Sequence, residues 1–435
     1  SRDSPPTSLL NVMAAAGSVL PEDPRRKDAE RNLRANLRDI IEVSQENDVS
    51  LLLCTVASNE RGFAPSYAEP LIDTGSLSMW KEMIADGNTA YEEKRFNIAL
   101  SHFENALRLD PQNAWSHFQM GRCLEMLGNK TSARNAYLRA RDTDPAPWRA
   151  SSAINQVIRE TAQVKGITLV DGEILFTKYS SSVGIGWDLM DDHVHPSAQG
   201  QILLAREVAE SVVDLLAVTS DGMKVSDAEY RQMQGGTSLD ELAVSHDMYI
   251  LLSEEPMGEG NELQADRLAE RSDSLWNTLT IGERNGYQRW RKGKGPDLLP
   301  LNAADQLFAQ GDLARASTYY RAAALEEPFT PWGDIWATLR WGRTRQLAGI
   351  FGEEEKAIVE TMRARLDFLA NTSDLSPGLV NFFYGYSSFL IEGEGVELLE
   401  SAIDDKQVRR LFFFDLLAIL CEKLPEDGRQ GDAER

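Results

Sequence analysis

A repeat with a period of 34 residues limits this chain more than any other feature. Ala99, Phe103, Ala106 and Pro111 return as Ala133, Tyr137, Ala140 and Pro145. Gly87 and Gly121 each stand twelve residues before the Ala of their own unit. Small residues let two helices approach closely, the aromatic fills the space between them, and the proline stops the second helix. Two such units run from about Trp80 to Pro145. A third appears at Ala316, Tyr320, Ala323 and Pro328, with Gly311-Asp312 at its turn and Ala304 where the earlier units have Gly. Its successor, Trp332 to about Arg365, keeps helical spacing but loses the lettering. At all these positions the residues are expected to serve packing only. Any binding would use an exposed concave face that the sequence does not name.

The segments flanking the first two units read differently. Leu33, Leu37, Ile40, Ile41 and Val43 recur at helical spacing over Lys27 to Glu46, and Asn47-Asp48 ends that helix. Val49 to Val56 is a short apolar run, expected as a buried parallel strand. The loop after it carries Asn59. Ligands gather at the carboxyl ends of strands in open α/β sheets, so Asn59 is a weak pocket-lining candidate beside its plainer role of closing a strand. After the repeats, Trp148 to Val164 predicts a helix, Lys165-Gly166 a turn and Ile167 to Val170 a strand. A loop rich in Ser and Gly follows, with Ser180, Ser181, Ser182, Gly184 and Gly186. It leads to Asp191-Asp192-His193-Val194-His195-Pro196 and an amphipathic helix from Gln201 to Leu216. Asp192 and His195 are three residues apart, so one turn can bring carboxylate to imidazole. A carboxylate that accepts the Nδ1 proton leaves Nε2 as a base.

The 34-residue lettering closely resembles the tetratricopeptide repeat (TPR). The D-x-x-H-P spelling of Asp192 to Pro196, with a strand before it and a helix after it, resembles the last sequence block of the SGNH (GDSL-type) hydrolases. That resemblance covers roughly Lys27 to Leu216. It implies a doubly wound α/β domain with a TPR pair inserted, in which His195 is the general base and Asp192 orients it. It also implies a serine nucleophile in a G-D-S block, an oxyanion-hole glycine and a G-x-N block. None of these is found; Ser1-Arg2-Asp3-Ser4 has Asp-Ser without the Gly or a preceding strand. The expectation is therefore the C-terminal part of an SGNH-type ester hydrolase or acyltransferase, truncated ahead of Ser1 and inactive by itself. The alternative is a TPR scaffold with a degenerate hydrolase domain. A partial sheet is expected to leave apolar surface beside Leu51 to Cys54.

The fold expected is α/β plus all-α: a partial doubly wound parallel sheet with inserted TPR helices, then a C-terminal helical, TPR-like region. The boundaries read as a loose lead-in over 1–27, with one short helix from Leu9 to Ala16, and the partial α/β domain over 28–75 and 146–218. The inserted repeats cover 76–145, a helical linker region 219–296, a TPR-like helical domain 297–425 and a tail 426–435. Sixty-eight acidic against 45 basic residues give a net charge of −23. That argues against nucleic-acid and anionic-membrane partners, and makes Arg289-Trp290-Arg291-Lys292-Gly293-Lys294 read as a solvated linker. The partner expected is a protein or a polymer, a carbohydrate ester by resemblance only. Cys54, Cys123 and Cys421 lie far apart in apolar stretches and read as buried free thiols. No cofactor is expected. A metal at Asp191, Asp192, His193 and His195 is the weaker reading of that block, since His102, His117 and His246 sit in helical stretches. No run is apolar enough to span a bilayer. The bulky Leu411 to Phe414 run needs a cover. The compartment is not legible.

Overall fold

In a computed structural model of the chain, the residues described are 18–180, 183–218, 225–233, 235–294, 298–326, 332–372 and 375–426. Pro328, Ser181, Ser182 and the short helix expected over Leu9 to Ala16 lie outside them. The molecule is mostly helical and divides into two compact units, residues 1–227 with 244–271, and 228–243 with 272–435.

In the first unit, helix α1 (Pro24–Glu46) starts on a proline with Asp23 capping it through the Arg25 N–H. Strand β1 (Leu52–Cys54) follows. Then come the two repeat hairpins, α2 (Thr74–Glu92) with α3 (Phe96–Leu109), and α4 (Ala114–Met126) with α5 (Lys130–Thr143). Ala99, Phe103, Ala106, Ala133, Tyr137 and Ala140 are buried in their common core with Trp80 and Phe118. A Cβ on Gly87 would stand 2.7 Å from the Phe103 ring, and one on Gly121 would stand 2.8 Å from the Tyr137 ring. The glycine is the space that the aromatic occupies.

Helix α6 (Ser152–Lys165) ends at Gly166 in the left-handed region, φ +66°. Strand β2 (Thr168–Val170), α7 (Gly172–Tyr179) and α8 (Ala198–Leu216) complete the flanking part. β1 and β2 pair in parallel, Leu52 with Thr168, Leu53 with Leu169 and Cys54 with Val170. The helices α1 and α6 pack together, and Ile41, Leu53, Ile158 and Ala162 share one small core.

The sheet corrects the fold expected from sequence. No doubly wound sheet is present among the described residues; the strand order is β1-β2 and nothing more. The apolar run Val49 to Val56 contributes only three strand residues. A strand lengthens only where a neighbour supplies hydrogen bonds, and here the one neighbour is three residues long. Val49 and Val56, at either end of the run, are exposed, while Leu53 and Thr55 are buried.

Helices α9 (Asp227–Met233), α10 (Ser238–Ser253), α11 (Glu262–Thr278) and α12 (Ile281–Arg291) follow within 219–296. Arg289 to Arg291 form the last turn of α12, and Trp290 packs on Tyr287 with ring centres 6.0 Å apart. That part of the basic cluster is helical, and Arg289 and Arg291 are exposed.

The second unit continues with α13 (Leu299–Ala309), α14 (Leu313–Leu325), α15 (Gly333–Leu347) and α16 (Glu353–Thr372). It ends with α17 (Pro377–Glu392), α18 (Val396–Ala402), α19 (Lys406–Leu411) and α20 (Phe413–Glu426). Ala304, Ala316, Tyr320 and Ala323 are fully buried, as the repeat lettering demands. Gly311 takes φ +80° at the turn between α13 and α14. Phe412 stacks on Phe382 at 5.1 Å and lies 4.5 Å from Trp336. No helix among the described residues is long and apolar enough to cross a membrane.

Candidate functional site

The loop from Leu189 to Ser197 is folded back on itself by backbone bonds. Asp191 N–H donates to the His195 carbonyl at 2.9 Å, and Ser197 N–H to the Leu189 carbonyl at 2.9 Å. Ser197 then caps α8 through the Gly200 N–H. Gly200 is required here, because a Cβ would strike the Leu189 carbonyl oxygen.

Inside this loop the structure brings Asp192 and His195 together. Asp192 Oδ2 lies 2.6 Å from His195 Nδ1. Asp192 Oδ1 accepts the backbone N–H groups of Val194 at 2.7 Å and His195 at 2.6 Å. The aspartate is buried, whereas the His195 side chain is 76% exposed. Burial pushes the Asp192 carboxyl up, but the bond to His195 and the two backbone N–H groups outweigh it and hold it below the usual carboxylate range. An ionised Asp192 accepts a hydrogen bond from the Nδ1–H of His195, which leaves Nε2 on the exposed ring as the acceptor.

His193 points the other way. It is buried against Phe63 and Trp148, with ring centres at 5.3 and 5.8 Å. Its Nδ1 is 3.7 Å from Asp192 Oδ1, too far for a hydrogen bond, and has no partner. Burial lowers its affinity for a proton despite the nearby carboxylate. Phe63 and Trp148 also line a cavity of about 120 Å³ with Arg149, Met257 and Asn261, which neither Asp192 nor His195 touches. No group of three or more His, Cys, Asp or Glu side chains among the described residues is placed to hold a metal ion.

Asn59 is fully buried rather than open to a pocket. Its Oδ1 accepts the Gly62 and Phe63 N–H groups at 2.8 and 3.1 Å, and its Nδ2 donates to the Asp192 carbonyl at 3.1 Å. Asn59 N–H also donates to the His193 carbonyl at 3.0 Å. The pocket-lining expectation therefore gives way to a clamp between the loop after β1 and the loop that carries the Asp-His pair. The reason is that both polar groups of its side chain, and its backbone N–H and carbonyl, are used within the fold.

Sequence reading missed the charges that fix this clamp. Arg149 is buried and donates to the Asn59 carbonyl at 2.9 Å, to the Phe63 carbonyl at 3.0 Å and to Asp144 Oδ2 at 3.0 Å. Asp144 closes the second repeat. Glu60, next to Asn59, is fully buried, with Arg134 and Arg141 of α5 at 3.4 and 3.7 Å. Burial raises the Glu60 carboxyl, and the two guanidinium groups oppose that. Arg141 reaches on to Glu173 at 2.8 Å, and Glu173 to Arg159 at 2.7 Å. The only available signal was the density of Arg, Asp and Glu near the repeat boundary, which resembles any solvated helix.

Two of the three cysteine expectations also change. Cys123 is buried, but Cys54 is half-buried and Cys421 is exposed. Cys421 lies on the outer side of the last helix, where an apolar stretch of sequence does not mean a buried one.

A tetratricopeptide repeat family model matches residues 90–154, from the last turn of α2 through α5 into α6. No curated protein matches the chain.

Proposed function

We propose that this chain is a helical-repeat protein-interaction module that also carries the base half of an acyl-transfer centre of SGNH type. The observation that carries the second part is the 2.6 Å contact between buried Asp192 and exposed His195. It stands past the ends of two parallel strands, in the loop that closes on α8. In such a centre His195 Nε2 takes the proton of a serine hydroxyl, whose oxygen then attacks the acyl carbon. The same proton passes to the departing alcohol, and Asp192 holds the imidazolium that forms between these steps. The sequence contains no G-D-S block to supply that serine. The repeats, tied through Asp144 and Arg149 to the loop after β1 whose Asn59 holds the site loop, would present a protein partner or a polymeric substrate. A carbohydrate ester rests on the resemblance alone.

The test has two arms. Proton NMR should show the His195 Nδ1–H far downfield, and Asp192→Asn should abolish that signal; its absence from the unsubstituted chain would sink the dyad. Hydrolysis of an activated acetyl ester by the chain alone should not exceed that of His195→Ala. Turnover that His195→Ala removes would instead place a nucleophile within these residues.

The second reading is a scaffold with no chemistry, in which the Asp-His pair only shapes a helix start. The repeat match over 90–154 and the three-residue strands favour it. A G-D-S strand block in the coding sequence upstream of Ser1 would decide for the enzyme.

A further inference from the structure

We infer that the cavity lined by Phe63, Tyr67 and Trp148 is a binding site for a small organic cation, an alkylammonium head group.

The cavity lies within the first unit. It forms where the loop after β1 and residues 144–149 meet the segment between α10 and α11. At about 120 Å³ it far exceeds the roughly 10–15 Å³ that one water needs, so it admits a group of several heavy atoms. Its walls are held by the fold itself. Asn261 Oδ1 accepts the Ala64 N–H at 3.1 Å, and Asn261 Nδ2 donates to the Met257 carbonyl at 2.9 Å. Tyr67 stands edge-on to Trp115 at 5.3 Å, and Phe63 and Trp148 both pack on His193. Walls that are already fixed lose less freedom when a ligand enters.

The charges around the cavity select the ligand. Exposed Glu255 and Glu259 stand on its rim. Neither has a basic partner among the described residues. Burial and the neighbouring Glu255 and Glu262 raise the Glu259 carboxyl, and no cation opposes them. The one base among the described lining residues, Arg149, is balanced by Asp144 at 3.0 Å and donates to two carbonyls. Two uncompensated carboxylates thus stand over three aromatic side chains. An organic cation is attracted by both, through its charge and through the rings. An anion would meet the carboxylates first, and a neutral apolar group would leave them without a partner. A bare metal ion fits poorly. No group of three or more His, Cys, Asp or Glu side chains among the described residues is placed to hold one, and aromatic rings do not ligate hard cations. Neither Asp192 nor His195 lines the cavity, so its ligand need not meet them.

Tetramethylammonium chloride titrated into the full chain at constant ionic strength should shift the Trp148 indole N–H signal in NMR. The shift should saturate with a dissociation constant of roughly 1–10 mM, as suits a ligand this small. Loss of the signal in Trp148→Phe assigns it. tert-Butanol, of similar shape but uncharged, should bind at least ~10-fold more weakly. Glu255→Gln combined with Glu259→Gln should weaken the cation at least ~10-fold. Melting of that double variant should not change, because both side chains are exposed and unpaired within the chain. Butylammonium and a blocked lysine tripeptide then separate the two sources of such a head group. Tighter binding of the tripeptide supports a lysine of a partner chain as the ligand, and equal or tighter binding of butylammonium supports a free amine. Absence of a saturable shift with any of these cations up to ~100 mM would overturn the proposal. So would tert-butanol binding as well as tetramethylammonium, or a double Gln variant that binds the cation as before.

Discussion

Gly87 faces the Phe103 ring and Gly121 the Tyr137 ring, in a core built from apolar and aromatic side chains. Around Asp192, in the same unit, the contacts run through Asn59, Arg149, Asp144 and Glu60, all buried and all polar. The repeat pair is held by shape, and the site loop by hydrogen bonds and opposed charges. A shape-held region should tolerate polar replacement poorly but be indifferent to pH. A region held by buried charge should fail when one partner is removed alone and recover in part when both are removed.

The largest effect should come from the buried ion pair. Arg149→Ala leaves Asp144 buried without its partner and two carbonyls without a donor, which should destabilise the first unit by about 3–5 kcal/mol in urea unfolding. Arg149→Met combined with Asp144→Asn should cost clearly less than the single change. A double variant as weak as the single one would mean that the two groups act by packing alone, as in the repeats. Phe103→Ala should cost about 3–5 kcal/mol through its cavity, with no dependence on pH between neutral and acid. Gly121→Val presses a side chain into the Tyr137 ring and should cost about 1–3 kcal/mol. Asn59→Ala should cost about 1–3 kcal/mol by leaving the Gly62, Phe63 and Asp192 groups unpaired. Its distinguishing effect is faster amide exchange over residues 191–197 than over α3 and α5.

The smallest effect is one of pH. The Asp192 carboxyl is held below its ordinary value when folded. Its contribution to stability is therefore fully present above the unfolded pKa of about 3.9, and is lost as pH falls through the folded value. Unfolding curves should show stability dropping in that acid window, and Asp192→Asn should flatten the drop. An unchanged acid slope in Asp192→Asn would mean that the dyad adds nothing to folding.

The difference between the regions also explains which parts were legible. Ala99, Phe103 and Gly87 recur with a fixed period because the same packing problem recurs, so three hairpins and their buried positions could be read directly. Asp192 and His195 could be paired because a separation of three residues is local. Their partners could not be found. Asn59 is 133 residues from Asp192 along the chain, and Arg149 is 90 from Asn59. Cys421 was misread for a related reason. Apolarity in sequence looks like core, until the neighbouring elements decide which side of a helix is covered.

The sequence by itself determined the helix hairpins, their periodic contacts and the local meeting of carboxylate and imidazole, because each depends on residues within a few turns of one another. Only the tertiary structure decided how far the strands extend, that Asn59 is a clamp, that a buried Arg149 ties the second repeat to the loop after β1, and that Phe414 faces outward. Each of those depends on which distant groups lose their water together, and no spacing along the chain records that.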